Sequence, residues 1–134
     1  MKKICIVTSM YNRNITTKLR VNAKKVLIKI NKIAIKDIEV PGAFEIPVMI
    51  SRLAKKYDGF IAIGCIIKGR TKNFDLISQA ITSGIMQISI QEKKPIGNAI
   101  LTCFNQAQAK NRFDRGTEAA NAVISVLKNG SKKI

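Results

Sequence analysis

Phe60 to Ile67 forms an unbroken run without one charged or hydroxyl-bearing side chain. Such a run is far short of the ~20 residues that cross a bilayer, yet too apolar to leave either face in water. It fits a central strand of a parallel sheet covered on both sides. The remainder of the chain must then supply two helical layers.

The flanking pattern supplies them. Ile4 to Thr8 is a short apolar strand, and Leu19, Ala23, Val26, Leu27 and Ile30 follow at steps of three and four, as on one face of a helix. Asp37 to Val40 reads as a second strand closed by Pro41-Gly42. Helical spacing returns at Ile46, Met49, Ile50, Leu53, Ala54 and Tyr57, and again from Ile77 through Ile81 and Ile85 to Ile88. Pro95 precedes a fourth strand, Ile96 to Cys103, and a last helix buries Ala119, Ala120, Val123 and Leu127, leaving Asn129 to Ile134 as a fraying tail. Alternation of this kind predicts one domain over residues 1–134 with a flavodoxin-like, three-layer α/β/α fold. Its four-stranded parallel sheet is expected in the order 2-1-3-4. Ligands of such sheets bind at the carboxyl ends of the strands, which here carry Tyr11-Asn12, Gly42-Ala43-Phe44-Glu45 and Gly69-Arg70-Thr71.

Composition removes several function classes. There is no histidine, and the three cysteines, Cys5, Cys65 and Cys103, each lie in an apolar run, so they read as reduced core thiols and not as zinc ligands. Neither a metal nor a cofactor is expected. No segment resembles a signal peptide or membrane span, and a cytoplasmic protein with no membrane partner is the expectation. The formal charge of +16 comes from 18 lysines and 6 arginines scattered along the chain. No recognition helix, finger spacing or aromatic RNA-binding motif accompanies them, so nucleic acid is not expected as the functional partner. A positive field would draw anionic, phosphorylated substrates instead.

Three positions could carry chemistry. Gly69-Arg70-Thr71, at a strand exit before a helix, can cradle a phosphate; Thr71 as a plain N-cap is the alternative. Glu45 can accept hydrogen bonds from polyol hydroxyls, or it complements the dipole of the helix it opens. Tyr11 can stack on a planar ring or simply pack.

Taken in order, these segments resemble the lumazine synthase family of riboflavin biosynthesis from about Lys3 to Lys128. Ile6-Val7-Thr8-Ser9-Met10-Tyr11-Asn12 is similar to the family's strand-one exit, where an aromatic followed by asparagine faces the heterocycle. Val40-Pro41-Gly42-Ala43-Phe44-Glu45-Ile46-Pro47 matches its most recognisable segment without a change, and there the glutamate holds the ribityl chain. Gly64-Cys65-Ile66-Ile67-Lys68-Gly69 resembles its third-strand motif. Arg112 falls where the family's arginine binds substrate phosphate.

The resemblance implies a transferase that condenses 5-amino-6-(D-ribitylamino)uracil with 3,4-dihydroxy-2-butanone 4-phosphate, giving 6,7-dimethyl-8-ribityllumazine and phosphate. The substrate site would comprise Tyr11, Asn12, Gly42, Ala43, Phe44, Glu45, Cys65, Ile66, Ile67, Arg70 and Thr71, with Asn98 and Arg112 reaching in from a neighbouring subunit. It further implies a homopentamer or an assembly of pentamers, with riboflavin synthase as pathway neighbour.

One departure matters most. Asn73 occupies the position of the family's proton-transferring histidine, and asparagine takes up no proton near neutral pH. A missing general base typically costs ~10²- to 10⁴-fold, which implies a slow enzyme. A weakened relative that binds lumazine or flavin, or serves as a scaffold, is the alternative.

Overall fold

The computed structural model describes residues 1–68 and 73–130. Their elements run β1 (Lys2–Ser9), α1 (Arg13–Leu27), β2 (Ile33–Val40), a 3-10 turn (Ala43–Glu45), α2 (Ile46–Leu53), β3 (Gly59–Ile67), α3 (Phe74–Glu92), β4 (Ile96–Cys103), α4 (Gln106–Lys110) and α5 (Arg115–Gly130). The strands are parallel and ordered β2-β1-β3-β4, as the alternation predicts.

The period-two alternation of β1 and β3 divides the core in two. Ile4, Ile6, Ile61 and Ile63 face α1 and α5, where they meet Leu19, Ala120 and Val123. Cys5, Val7, Phe60 and Ala62 face the other way, onto Ile46 and Ile50 of α2 and Ile81 and Ile85 of α3. Both faces of β3 are therefore covered, which explains its uninterrupted apolar sequence. Each fully buried aliphatic side chain contributes about 1.5–3 kcal/mol relative to exposure.

Two glycines set how closely the layers approach. A Cβ at Gly97 would overlap the Ala119 carbonyl, and one at Gly116 the Leu19 carbonyl. The first lets α5 lie against β4, and the second lets α5 cross α1 in backbone contact.

Several boundaries differ from the sequence expectation. Helix α1 ends at Leu27 and α2 at Leu53, so Ile30, Ala54 and Tyr57 lie beyond the helices whose spacing they continue. Strand β2 starts at Ile33, not Asp37, and its first residues pair with Lys2 through Ile6 of β1. It is an edge strand, so Lys36, Asp37 and Glu39 can stay exposed while the ladder forms, and charge does not end it. Asn129 and Gly130 lie within α5, where fraying was expected to begin. Helix α4 was not anticipated. Asn105 caps it, its Oδ1 accepting the Gln108 amide at 2.9 Å, while Gln108 Oε1 accepts the Phe104 amide at 2.8 Å.

Candidate active site

At the carboxyl edge of the sheet, three strand exits surround a cleft of about 750 Å³. Tyr11 and Asn12 come from the end of β1. Gly42, Ala43 and Phe44 follow β2, and Cys65, Ile66 and Ile67 close β3. All eight are residues that the sequence placed in the substrate site. The cleft lies over the β1–β3 pair, where the strand order reverses direction.

Asn12 organises the first wall. It sits in the left-handed region (φ 58°, ψ 50°), which asparagine tolerates better than most residues. Its carbonyl accepts the amides of Ile15 and Thr16 at 2.9 and 3.0 Å, which starts α1. Its side-chain Nδ2 donates to the Cys65 carbonyl at 3.0 Å and ties the β1 exit to β3. The turn leaves the neighbouring Tyr11 74 % exposed, with a ring free to stack on a planar ligand.

The second wall starts from the Pro41-Gly42 turn. Glu45 Oε1 accepts the Gly42 amide at 3.0 Å, so the carboxylate closes the 3-10 turn that leads into α2. Glu45 is half-buried beside the cleft without lining it. This geometry realises its role at a helix start, while a carboxylate retains further lone pairs for a ligand hydroxyl. Phe44, next in the wall, is largely exposed.

The third wall is apolar. Burial pushes the Cys65 thiol up from an ordinary 9.0 to about 12, with the nearby Cys103 thiol adding to the effect. Cys65 therefore stays protonated at neutral pH and serves as packing, not as a nucleophile. Just past it, Lys68 extends the ladder by donating its amide to the Cys103 carbonyl at 2.8 Å, and its Nζ stands 5.3 Å from the centroid of the Phe104 ring.

Arg70 and Thr71 fall outside the described residues. Asn73 is exposed immediately before α3, and its carbonyl accepts the Ile77 amide at 2.9 Å. Asn98 is in the middle of β4, opposite Ala62, with its Oδ1 accepting the Ile100 amide at 3.0 Å. Arg112 is exposed between α4 and α5 and does not line the cleft of its own chain.

Three cleft residues were not anticipated as site residues: Ile77 and Ile81 from α3 and Gln106 from α4. Helical spacing identified the two isoleucines only as a buried face, and the Asn105/Gln108 capping pair was the available signal for α4. Among the described residues there is no cluster of His, Cys, Asp or Glu suited to a metal, and no helix long and apolar enough to cross a membrane.

Comparison with known proteins identifies the family. The family model described as 6,7-dimethyl-8-ribityllumazine synthase matches residues 1–130. A protein of that name from Cutibacterium acnes is 37 % identical over 132 residues, covering 93 % of this chain and 80 % of the relative. One from Limosilactobacillus reuteri is 38 % identical over 129 residues, covering 93 % and 85 %. Another from Corynebacterium kroppenstedtii is 35 % identical over 129 residues, covering 91 % and 80 %. With a family match across nearly the whole chain and relatives above 30 % identity, the chain belongs to the 6,7-dimethyl-8-ribityllumazine synthase family.

Proposed function

We propose that the cleft condenses 5-amino-6-(D-ribitylamino)uracil with 3,4-dihydroxy-2-butanone 4-phosphate in riboflavin biosynthesis. The 5-amino group attacks the ketone, and water leaves as the imine forms. Loss of phosphate then yields an enol that tautomerises to a second carbonyl. The ribityl-bearing nitrogen attacks that carbonyl, and a second water leaves as the ring closes. Products are 6,7-dimethyl-8-ribityllumazine and inorganic phosphate.

The convergence of three strand exits on one cleft, with Tyr11 open for stacking, carries this reading. Tyr11 would hold the pyrimidine, Glu45 the ribityl hydroxyls, and Cys65 to Ile67 the apolar floor. Asn98, whose amide nitrogen remains a donor, and Arg112 would come from a neighbouring copy. Arg112 and the segment containing Arg70 and Thr71 would take the phosphate. Holding two reactants in register supplies about 7–11 kcal/mol of such a barrier, and this contribution does not depend on a histidine at position 73.

A ring of five single-domain copies follows from the same reading. Arg112 stands away from its own cleft, and β4 leaves one edge of the sheet open beside the exposed Ile90 and Val126. Head-to-tail contacts that bring one copy's β4 exit to the next copy's cleft close such rings. Light scattering at micromolar concentration should give the mass of five chains or a multiple of it; a monomer would remove the shared site. Three free thiols among the described residues agree with a reducing cytoplasm.

Titration with 6,7-dimethyl-8-ribityllumazine tests the cleft itself. One ligand should bind per chain, and Tyr11→Ala should weaken binding about tenfold through lost stacking. Binding indifferent to both Tyr11→Ala and Ile66→Asp would remove the cleft from the reaction.

A further inference from the structure

Arg112 is an exposed side chain on a backbone that is held in place. Its amide donates to the Ala109 carbonyl at 3.0 Å, and its carbonyl accepts the Arg115 amide at 3.1 Å. Arg115 Nε in turn donates to the Asn98 carbonyl at 2.9 Å, which fastens the start of α5 to β4.

A second support comes from α1. Asn14, Lys18 and Asn22 follow one another at steps of four, so they share one face of that helix. All three meet the segment that carries Arg112. Asn14 Nδ2 reaches Gln106 Oε1 at 3.4 Å, and Lys18 Nζ stands 5.9 Å from the centroid of the Phe113 ring. Both contacts are long and start from exposed side chains, so they add little. Asn22 does more. Half-buried, it donates from Nδ2 to the Phe113 carbonyl at 2.9 Å. The same carbonyl accepts the Gly116 amide at 3.3 Å, so one oxygen joins α1 to the first turn of α5, one residue on from Arg112. Asparagine is a weak helix former in a helix interior, where its side chain competes for the backbone. Here its amide is turned to another element instead.

The geometry points to Asn22 as a positioning residue that sets Arg112 for the substrate phosphate in a neighbouring copy's cleft. This rests on the reading of Arg112 given above. A guanidinium binds phosphate best through two parallel hydrogen bonds, so the direction from which it reaches the ligand matters. A backbone fixed beforehand leaves only the side chain to be ordered on binding, which spares affinity. Asn22 need touch neither the ligand nor the guanidinium; it acts through the Phe113 carbonyl.

Steady-state rates are measured for wild type, Asn22→Ala, Arg112→Ala and the double variant, with 6,7-dimethyl-8-ribityllumazine binding followed alongside. Asn22→Ala should raise KM for the phosphorylated substrate about fivefold, the usual worth of one such hydrogen bond. KM for the pyrimidine and affinity for the lumazine, which carries no phosphate, should stay at wild-type values. In the Arg112→Ala background Asn22→Ala should change nothing further, because the group it positions is gone. Val26→Ala, whose side chain packs against the core from the same helix, should lower the urea midpoint and leave every KM unaltered. If Asn22→Ala lowers the urea midpoint alone while Arg112→Ala raises KM, the bond is purely structural and the proposal is overturned with the reading of Arg112 intact. Equal effects of Asn22→Ala with and without Arg112 would overturn it in the same way. Arg112→Ala kinetics identical to wild type, or a wild-type rate equal to background, would instead overturn the reading of Arg112 and the proposal with it.

Discussion

Asn12 Nδ2 and the Cys65 carbonyl meet at 3.0 Å across the β1 and β3 exits, so the residue that starts α1 also fixes the width of the cleft. Asn12→Gly keeps the left-handed backbone available while removing the side-chain bond, which isolates the clasp. Unfolding in urea should show a loss of about 1 kcal/mol, the usual net worth of such a bond. Lumazine affinity should fall with it, because Tyr11 is no longer held. Unchanged affinity would mean that Tyr11 keeps its place without the clasp.

Gly116→Ala places a methyl group against the Leu19 carbonyl, backbone against backbone, with no flexible side chain to move aside. Overpacking of this kind costs about 1–3 kcal/mol, and rigid neighbours put the result at the upper end. The urea midpoint should drop sharply. A wild-type midpoint would show that α5 is not seated on α1 as described.

Alkaline stability follows from the buried thiols. Burial pushes Cys5 and Cys65 up from 9.0 to about 12, with Asp37 adding to the shift of Cys5. An unfolded chain releases these protons near pH 9, whereas the folded chain holds them until about pH 12. Their stabilising contribution is full below pH 9 and declines as the pH rises towards 12, by roughly 1.4 kcal/mol per pH unit for each thiol. Urea midpoints at pH 8, 9 and 10 should therefore fall more steeply in wild type than in Cys5→Ala/Cys65→Ala. Parallel profiles would contradict the assignment.

Much of this was legible because the signals are local. Strands β1, β3 and β4 are apolar runs, and two covered faces leave β3 no room for a polar side chain. The start of β2 was hidden by the exposed charges that an edge strand tolerates. Helix α4 is too short to display a period. Within the cleft, the eight residues at strand exits lie in recognisable segments, whereas Ile77, Ile81 and Gln106 reach it only through packing. Asn98 and Arg112 differ again, since the site we assign them to belongs to another copy.

Under the proposed mechanism, substitutions at positions 73 and 112 separate proton transfer from phosphate binding. Asn73→His should raise turnover by ~10²-fold or more while lumazine affinity stays nearly constant, since a restored base acts on proton transfer and not on ground-state binding. Arg112→Ala should instead reduce turnover severely and raise KM for the phosphorylated substrate, through loss of a charge-assisted partner. An Asn73→His variant with altered affinity and unaltered turnover would place position 73 outside the proton path.

Turnover of the wild-type protein tests the account most directly. With both substrates present, formation of 6,7-dimethyl-8-ribityllumazine followed by absorbance should exceed the uncatalysed background, slowly, and should fall towards it in Arg112→Ala. A wild-type rate equal to background, unmoved by Arg112→Ala or Asn73→His, would contradict the account and leave the cleft as a binding or scaffold site.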